Sequence, residues 1–186
     1  MTDSRPIHRI RLVGLFLLAL ACTVPAMAAN GQPRRGESQE IKDPHFGEAL
    51  FYFYQQQYFS AITNLMTARH FERLPHHGDE AELLLGGMYL SYGLHSQAGL
   101  IFQRLIDAGA PPAIRDRAWF YLAKIRYQRG YLVEAEDAMA RIRGILPGEL
   151  EDERKLLQAY LLMERKNYRQ AAEVLTRMRG NSVWAA

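Results

Sequence analysis

The chain has 186 residues, 48 % of them hydrophobic and 23 % charged, with a formal net charge of +3 and a single cysteine. One cysteine excludes an internal disulfide framework, so the fold must rest on packing. The small basic excess is no phosphate-binding surface, because displacing counterions from nucleic acid requires a concentrated basic face.

The N-terminal residues have their own physics. Arg5, His8, Arg9 and Arg11 precede the apolar run LVGLFLLALACTV, and Pro25 then leads into the small-x-small pattern Ala26-Met27-Ala28. This order predicts a cleavable secretory signal peptide over residues 1–28. A membrane span is not expected, because the run falls short of the roughly 20 apolar residues needed to cross. Lipid attachment at Cys22 is not expected either, since Ala19-Leu20-Ala21 places alanine where a bulky aliphatic belongs and leucine where a small residue belongs. Removing residues 1–28 leaves 20 basic and 19 acidic side chains and no thiol, so the mature chain is nearly neutral. The style of the signal points to the periplasm of a Gram-negative bacterium.

Residues 29–42 are polar, contain Gly and Pro, and show no apolar period, which predicts a disordered leader. Asp43 followed by Pro44 then reads as a helix start, an N-cap carboxylate with proline in the first turn. Apolar spacing places helices over 44–56, 58–73, 79–92, 95–108, 113–129, 131–145, 149–165 and 167–179. No segment alternates with period two, so no sheet is expected and the fold class is all-α.

These helices fall into copies of one unit. In Asp116–Gly148, Trp119, Leu122, Ala123 and Tyr127 recur at helical spacing, Gly130 breaks the pattern, and Leu132, Ala135, Met139 and Ile142 begin a second stripe that ends before Pro147. The preceding segment repeats the order with Leu85, Gly86, Tyr89, Gly93, Ala98, Phe102 and Leu105. A small residue persists through four units, as Ala61, Ala98, Ala135 and Ala171, at separations of 37, 37 and 36 residues. Smallness is the requirement there, because a larger side chain at the closest approach of two helices overpacks by roughly 1–3 kcal/mol. The units span about 43–78, 79–115, 116–151 and 152–180, forming one repeat domain over 43–180. Residues 181–186 are a tail, read either as the start of a truncated fifth repeat or as a segment whose Trp184 folds back on the last helix.

The order of Trp119, Leu122, Ala123, Gly130, Ala135 and Pro147, and of Leu85, Gly86, Tyr89, Gly93, Ala98 and Phe102, resembles the tetratricopeptide repeat. Two departures stand out. The period exceeds the family's 34, and Glu48-Ala49 and Gln158-Ala159 replace Leu-Gly in the outer units. The resemblance implies a right-handed α-solenoid of about four helix-turn-helix units that works as a non-catalytic scaffold, binding a partner peptide in a concave groove lined by the first helices. The groove positions it implies are Phe46, Leu50, Phe53 and Tyr54 in unit one, Leu83 and Leu90 in unit two, Arg117, Phe120, Lys124 and Tyr127 in unit three, and Tyr160 and Met163 in unit four. Such a lining suits a hydrophobic peptide, with Arg117 and Lys124 placed to hold a carboxylate. Each position also admits a core reading, since Phe51–Tyr54 is apolar on all sides.

Chemistry is not expected. His76-His77 lacks the Cys or H-E-x-x-H spacing of a metal site. The cluster Glu149, Glu151, Asp152 and Glu153 opens a helix, where the macrodipole favours negative charge. Gly86-Gly87 lies in a helical pattern with no strand before it, so it is no phosphate loop. No catalytic residue, cofactor or metal is assigned. Two other roles are compatible with the pattern: a substrate-positioning arm of a larger cell-wall enzyme, and an array in which the uncapped C-terminal unit stacks on another copy.

Overall fold

The computed structural model describes residues 40–178, which form helices and no strands. The helices are α1 (Pro44–Tyr54), α2 (Tyr58–His70), α3 (Gly78–Ser91), α4 (His95–Asp107), α5 (Pro112–Gln128), α6 (Leu132–Ala140), α7 (Glu149–Glu164) and α8 (Tyr168–Met178). They pack as the pairs α1–α2, α3–α4, α5–α6 and α7–α8, and the strongest contact between pairs is α4 on α5. The expected signal peptide and tail, and the expected leader as far as residue 39, lie outside the described residues; the leader's last three residues, 40–42, are placed, and Lys42 N donates to His77 Nε2 at 3.0 Å.

The four hairpins turn in the same way. The amides of Gln57, Leu94, Tyr131 and Asn167 donate to the carbonyls of Tyr52, Tyr89, Arg126 and Leu162, at 2.9, 2.9, 2.9 and 2.8 Å. Each bond reaches back across a residue with positive φ, Gln56 at 60°, Gly93 at 73°, Gly130 at 79° and Lys166 at 60°. This is the Schellman closure, which satisfies carbonyls that the helix end would otherwise leave open. Gly93 and Gly130 adopt the left-handed conformation without a Cβ penalty; Gln56 and Lys166 carry it.

After each turn the second helix buries its fourth residue, Ala61, Ala98, Ala135 or Ala171. Twelve positions earlier the first helix buries Ala49, Gly86, Ala123 or Ala159. Small residues on both helices let the backbones approach, and larger side chains to either side fill the remaining space. The core has two parts. One is centred on Leu65, Leu83, Leu85, Met88, Phe102 and Leu105, the other on Phe120, Ala135, Leu146, Leu157 and Leu161, and Trp119 and Tyr121 pack against both.

The largest departure from the expected bounds is in the sixth helix. That helix, expected over 131–145, ends at Ala140. Two carboxylates accept from the amides beyond it: Asp116 Oδ2 accepts from Gly144 N at 2.7 Å, and Glu151 Oε2 accepts from Leu146 N at 3.1 Å. Leu146 is buried in the second cluster while Ile145 points to solvent. Periodicity sees apolar spacing in 142–146 but cannot see acceptors arriving from other helices.

Candidate functional site

The exposed face of α5 and α7 gathers more of the expected groove residues than any other. Lys124 and Tyr127, one turn apart on α5, meet Glu153 and Tyr160 on α7: Lys124 Nζ donates to Glu153 Oε2 at 2.6 Å, and the Tyr127 and Tyr160 rings lie 6.0 Å apart and nearly parallel, at 8°. Met163 is half-buried one turn beyond Tyr160. Burial pushes the Tyr127 phenol above its ordinary value, with Glu164 and Tyr160 adding to the shift, so it stays a neutral donor at any physiological pH.

Arg117 lies one turn N-terminal to Tyr121, which the sequence reading passed over. Burial pushes the Tyr121 phenol up, the adjacent Arg117 guanidinium pulls it down, and Glu153 pushes it up again. The Tyr121 ring stacks on Phe102 at 4.9 Å and 18°. Arg117 Nε is buried without a hydrogen-bond partner. The arrangement leaves a cation beside a row of aromatic and thioether side chains, suited to holding an extended chain with an acidic or carbonyl group near Arg117. The signal for Tyr121 was its spacing of four from Arg117, which puts both on one helix face.

The remaining groove positions divide. Tyr54 is exposed at the end of α1, whereas Leu50, Phe53 and Leu90 are half-buried against the first cluster. Phe46, Leu83 and Phe120 are buried in the core. For these three the structure gives the core reading rather than the groove one, and the cause is the same in each: they face the helix pair that follows.

The histidine pair has a different task from the one its sequence suggests. Asp43 sits at the N-cap of α1 in extended geometry, but its side chain does not cap the helix. Its Oδ2 accepts from the amides of His76 at 2.9 Å and His77 at 2.8 Å, and its Oδ1 lies 2.8 Å from His76 Nδ1. His77 is buried, stacks on Phe46 at 4.8 Å, and accepts from Lys42 N through Nε2 at 3.0 Å. Burial raises the Asp43 carboxyl, but the His76 side chain and the two amides outweigh it and hold the group below the ordinary carboxylate range. The constellation is a clasp between α1 and the loop after α2. The acidic start of α7 is likewise partnered, Glu151 with Arg154 and Leu146 N, Asp152 with Lys155 at 3.4 Å, and Glu153 with Lys124.

Among the described residues no three His, Cys, Asp or Glu side chains are grouped to hold a metal ion, and no helix is long and apolar enough to cross a membrane. A cleft of about 450 Å3 where α2 meets α3, lined by Leu65, Arg69, Leu74, Glu82 and Leu85, is crossed by an Arg69–Glu82 ion pair at 2.7 Å. Compared with family models, curated proteins and solved structures, the chain matches none.

Proposed function

We propose that the four hairpins are tetratricopeptide-like repeats wound into a right-handed α-solenoid, and that the chain is a non-catalytic scaffold of the bacterial periplasm, exported by a cleavable signal peptide. The reading takes its partner to be a peptide segment of an envelope protein, held in extended or helical form along the face of the first helices. The observation that carries it is the alignment of Tyr127 on Tyr160, with Lys124, Arg117 and Met163 beside them. Folding does not require aromatic side chains to stay half-exposed on successive first helices, whereas a peptide groove does. Identical turns at a period of 36–37 residues support the repeat assignment.

The test is a displayed library of random peptides selected on the wild-type chain and on a variant carrying Tyr127→Ser, Tyr160→Ser and Met163→Ser. None of the three side chains is fully buried, so the variant should keep its cooperative melt. Enrichment of apolar peptides by the wild type and its loss in the variant supports the groove. Equal enrichment by both, or no enrichment by either, rejects it.

A further inference from the structure

The two ends of the helical row are unlike its middle. At one position of the first helix, Met88, Ile125 and Leu161 are 2, 4 and 5 % exposed, each covered by the preceding hairpin, whereas the equivalent Phe51 of α1 is 60 % exposed. The opposite end mirrors this. Phe46, Leu83 and Phe120, which face the following hairpin, are buried, but the equivalent Leu156 of α7 is half-exposed. On the second helix Leu65 and Phe102 are buried and their equivalents Met139 and Leu175 are half-buried, while Tyr168, on the same stripe as Leu175, is 64 % exposed where its equivalents Tyr58, His95 and Leu132 are half-buried. Among the described residues, the first hairpin therefore carries an exposed entry surface, and the last a less fully covered exit surface, of the same kind that the inner hairpins bury against one another.

We propose that copies of this chain associate head to tail, with α1 of one molecule packing on α7 and α8 of the next. The occupant is argued from continuity with the interfaces inside the chain: what covers Phe102 is a first helix presenting Tyr121, and α1 is the described first helix whose corresponding side is free. Gly47 stands at the Tyr121 position of α1, flanked by half-exposed Ile41, whose Cγ2 would lie 3.2 Å from a Cβ placed there. That shallow place, rimmed by Ile41 and Phe51, receives a leucine such as Leu175. Glu48 occupies the position where Leu85 and Leu122 are buried, but Gln158 occupies it on α7 and stays exposed, so a polar side chain is compatible with an interface at this rim. The contact is heterologous and non-closing, so it propagates into linear oligomers and joins the first-helix faces of successive molecules.

This inference is independent of the peptide groove, since Phe51, Leu175 and Tyr168 lie outside the row around Tyr127. The test is sedimentation velocity on the full chain as cells accumulate it, over about 1–300 µM, where a modest interface registers. The average mass should rise with concentration to at least that of a dimer. Phe51→Glu and Leu175→Glu should each sediment as monomers alone, and mixing the two should restore a species of two chains and no larger, because one intact head then meets one intact tail. Tyr168→Glu replaces Leu175→Glu if the latter loses its cooperative melt. A wild type that stays monomeric throughout overturns the proposal. So does a Phe51→Glu variant that still dimerises, which marks a symmetric tail-to-tail contact, or a mixture that does not complement.

Discussion

Gly86 and Phe102 are matched in shape: a Cβ placed on Gly86 would lie 2.6 Å from Phe102 Cε1 and 2.9 Å from Cζ. The ring has no room to withdraw, being fully buried and stacked on Tyr121. In the other hairpins the equivalent pairs are Ala49 with Leu65, Ala123 with Met139 and Ala159 with Leu175, so an alanine is accommodated wherever the facing side chain is not aromatic. Gly86→Ala gains about 1 kcal/mol of helix propensity and loses roughly 1–3 kcal/mol to overpacking. The expected net effect is a lower melting temperature, and Phe102→Leu should reverse the sign of the Gly86→Ala step. A thermal double-mutant cycle measures both; additive effects would show that the two residues do not constrain one another.

The turns make an opposite prediction. Gln56 and Lys166 hold φ of 60° where Gly93 and Gly130 stand in the other hairpins. Replacing either with glycine removes a left-handed penalty of about 1–2 kcal/mol, offset in part by the greater freedom of glycine in the unfolded chain. Gln56→Gly and Lys166→Gly should each raise the denaturation midpoint by the equivalent of about 0.5–1 kcal/mol, and Gly130→Ala should lower it by about 1 kcal/mol. Urea titrations followed by circular dichroism decide the signs.

Acid should loosen the molecule at two identified places. Burial raises the Asp43 and Glu151 carboxyls, yet their hydrogen bonds outweigh it and hold both below ordinary values, those bonds coming from His76 and His77 in one case and from Arg154 and Leu146 N in the other. A carboxyl whose folded pKa is depressed binds fewer protons in the folded state, so its stabilisation is present above the unfolded pKa and is lost as pH falls through the folded one. Stability should therefore decline from about pH 4.5 downward, and a variant carrying Asp43→Asn and Glu151→Gln should decline less over that interval. Denaturation midpoints at several pH values compare the two slopes, and equal slopes would place the acid sensitivity elsewhere.

Local chemistry made most of the helix layout readable, and long-range chemistry hid the rest. Gly93 and Gly130 mark their turns by composition, and Ala61, Ala98, Ala135 and Ala171 mark the close approaches by period; all four alanines are buried. Gln56 and Lys166 gave no such sign: Gln56 was placed inside the first helix, expected over 44–56, and only the gap between the helices expected over 149–165 and 167–179 fell on Lys166. The clasp of Asp43 was misread as a simple cap, because its partners, two backbone amides and the His76 ring, lie 33 and 34 residues away, beyond the reach of any local pattern. Phe46, Leu83 and Phe120 were placed in the groove by position within the repeat. They are core because the face that looks toward the next hairpin and the face that looks outward differ by less than one residue step of 100° around the helix.

The shortened sixth helix gives the last test. Asp116 is buried at the start of α5, and its Oδ2 accepts from Gly144 N at 2.7 Å. The same oxygen would lie 2.9 Å from a Cβ on Gly144, so the loop passes as close as glycine allows. Asp116→Ala removes the acceptor from an amide that is itself exposed, so water can take its place and the cost should be that of one net hydrogen bond, about 0.5–1.5 kcal/mol. Asp116→Asn keeps an acceptor of similar geometry and should cost less. If this contact holds residues 141–148 out of the helix, the alanine variant should accelerate amide exchange at Gly144 and Leu146 while the central amides of α5 keep their protection. Acceleration spread evenly over α5 and α6 would instead mean that Asp116 stabilises the whole hairpin, and that the early end of α6 is set by Leu146 seeking the core.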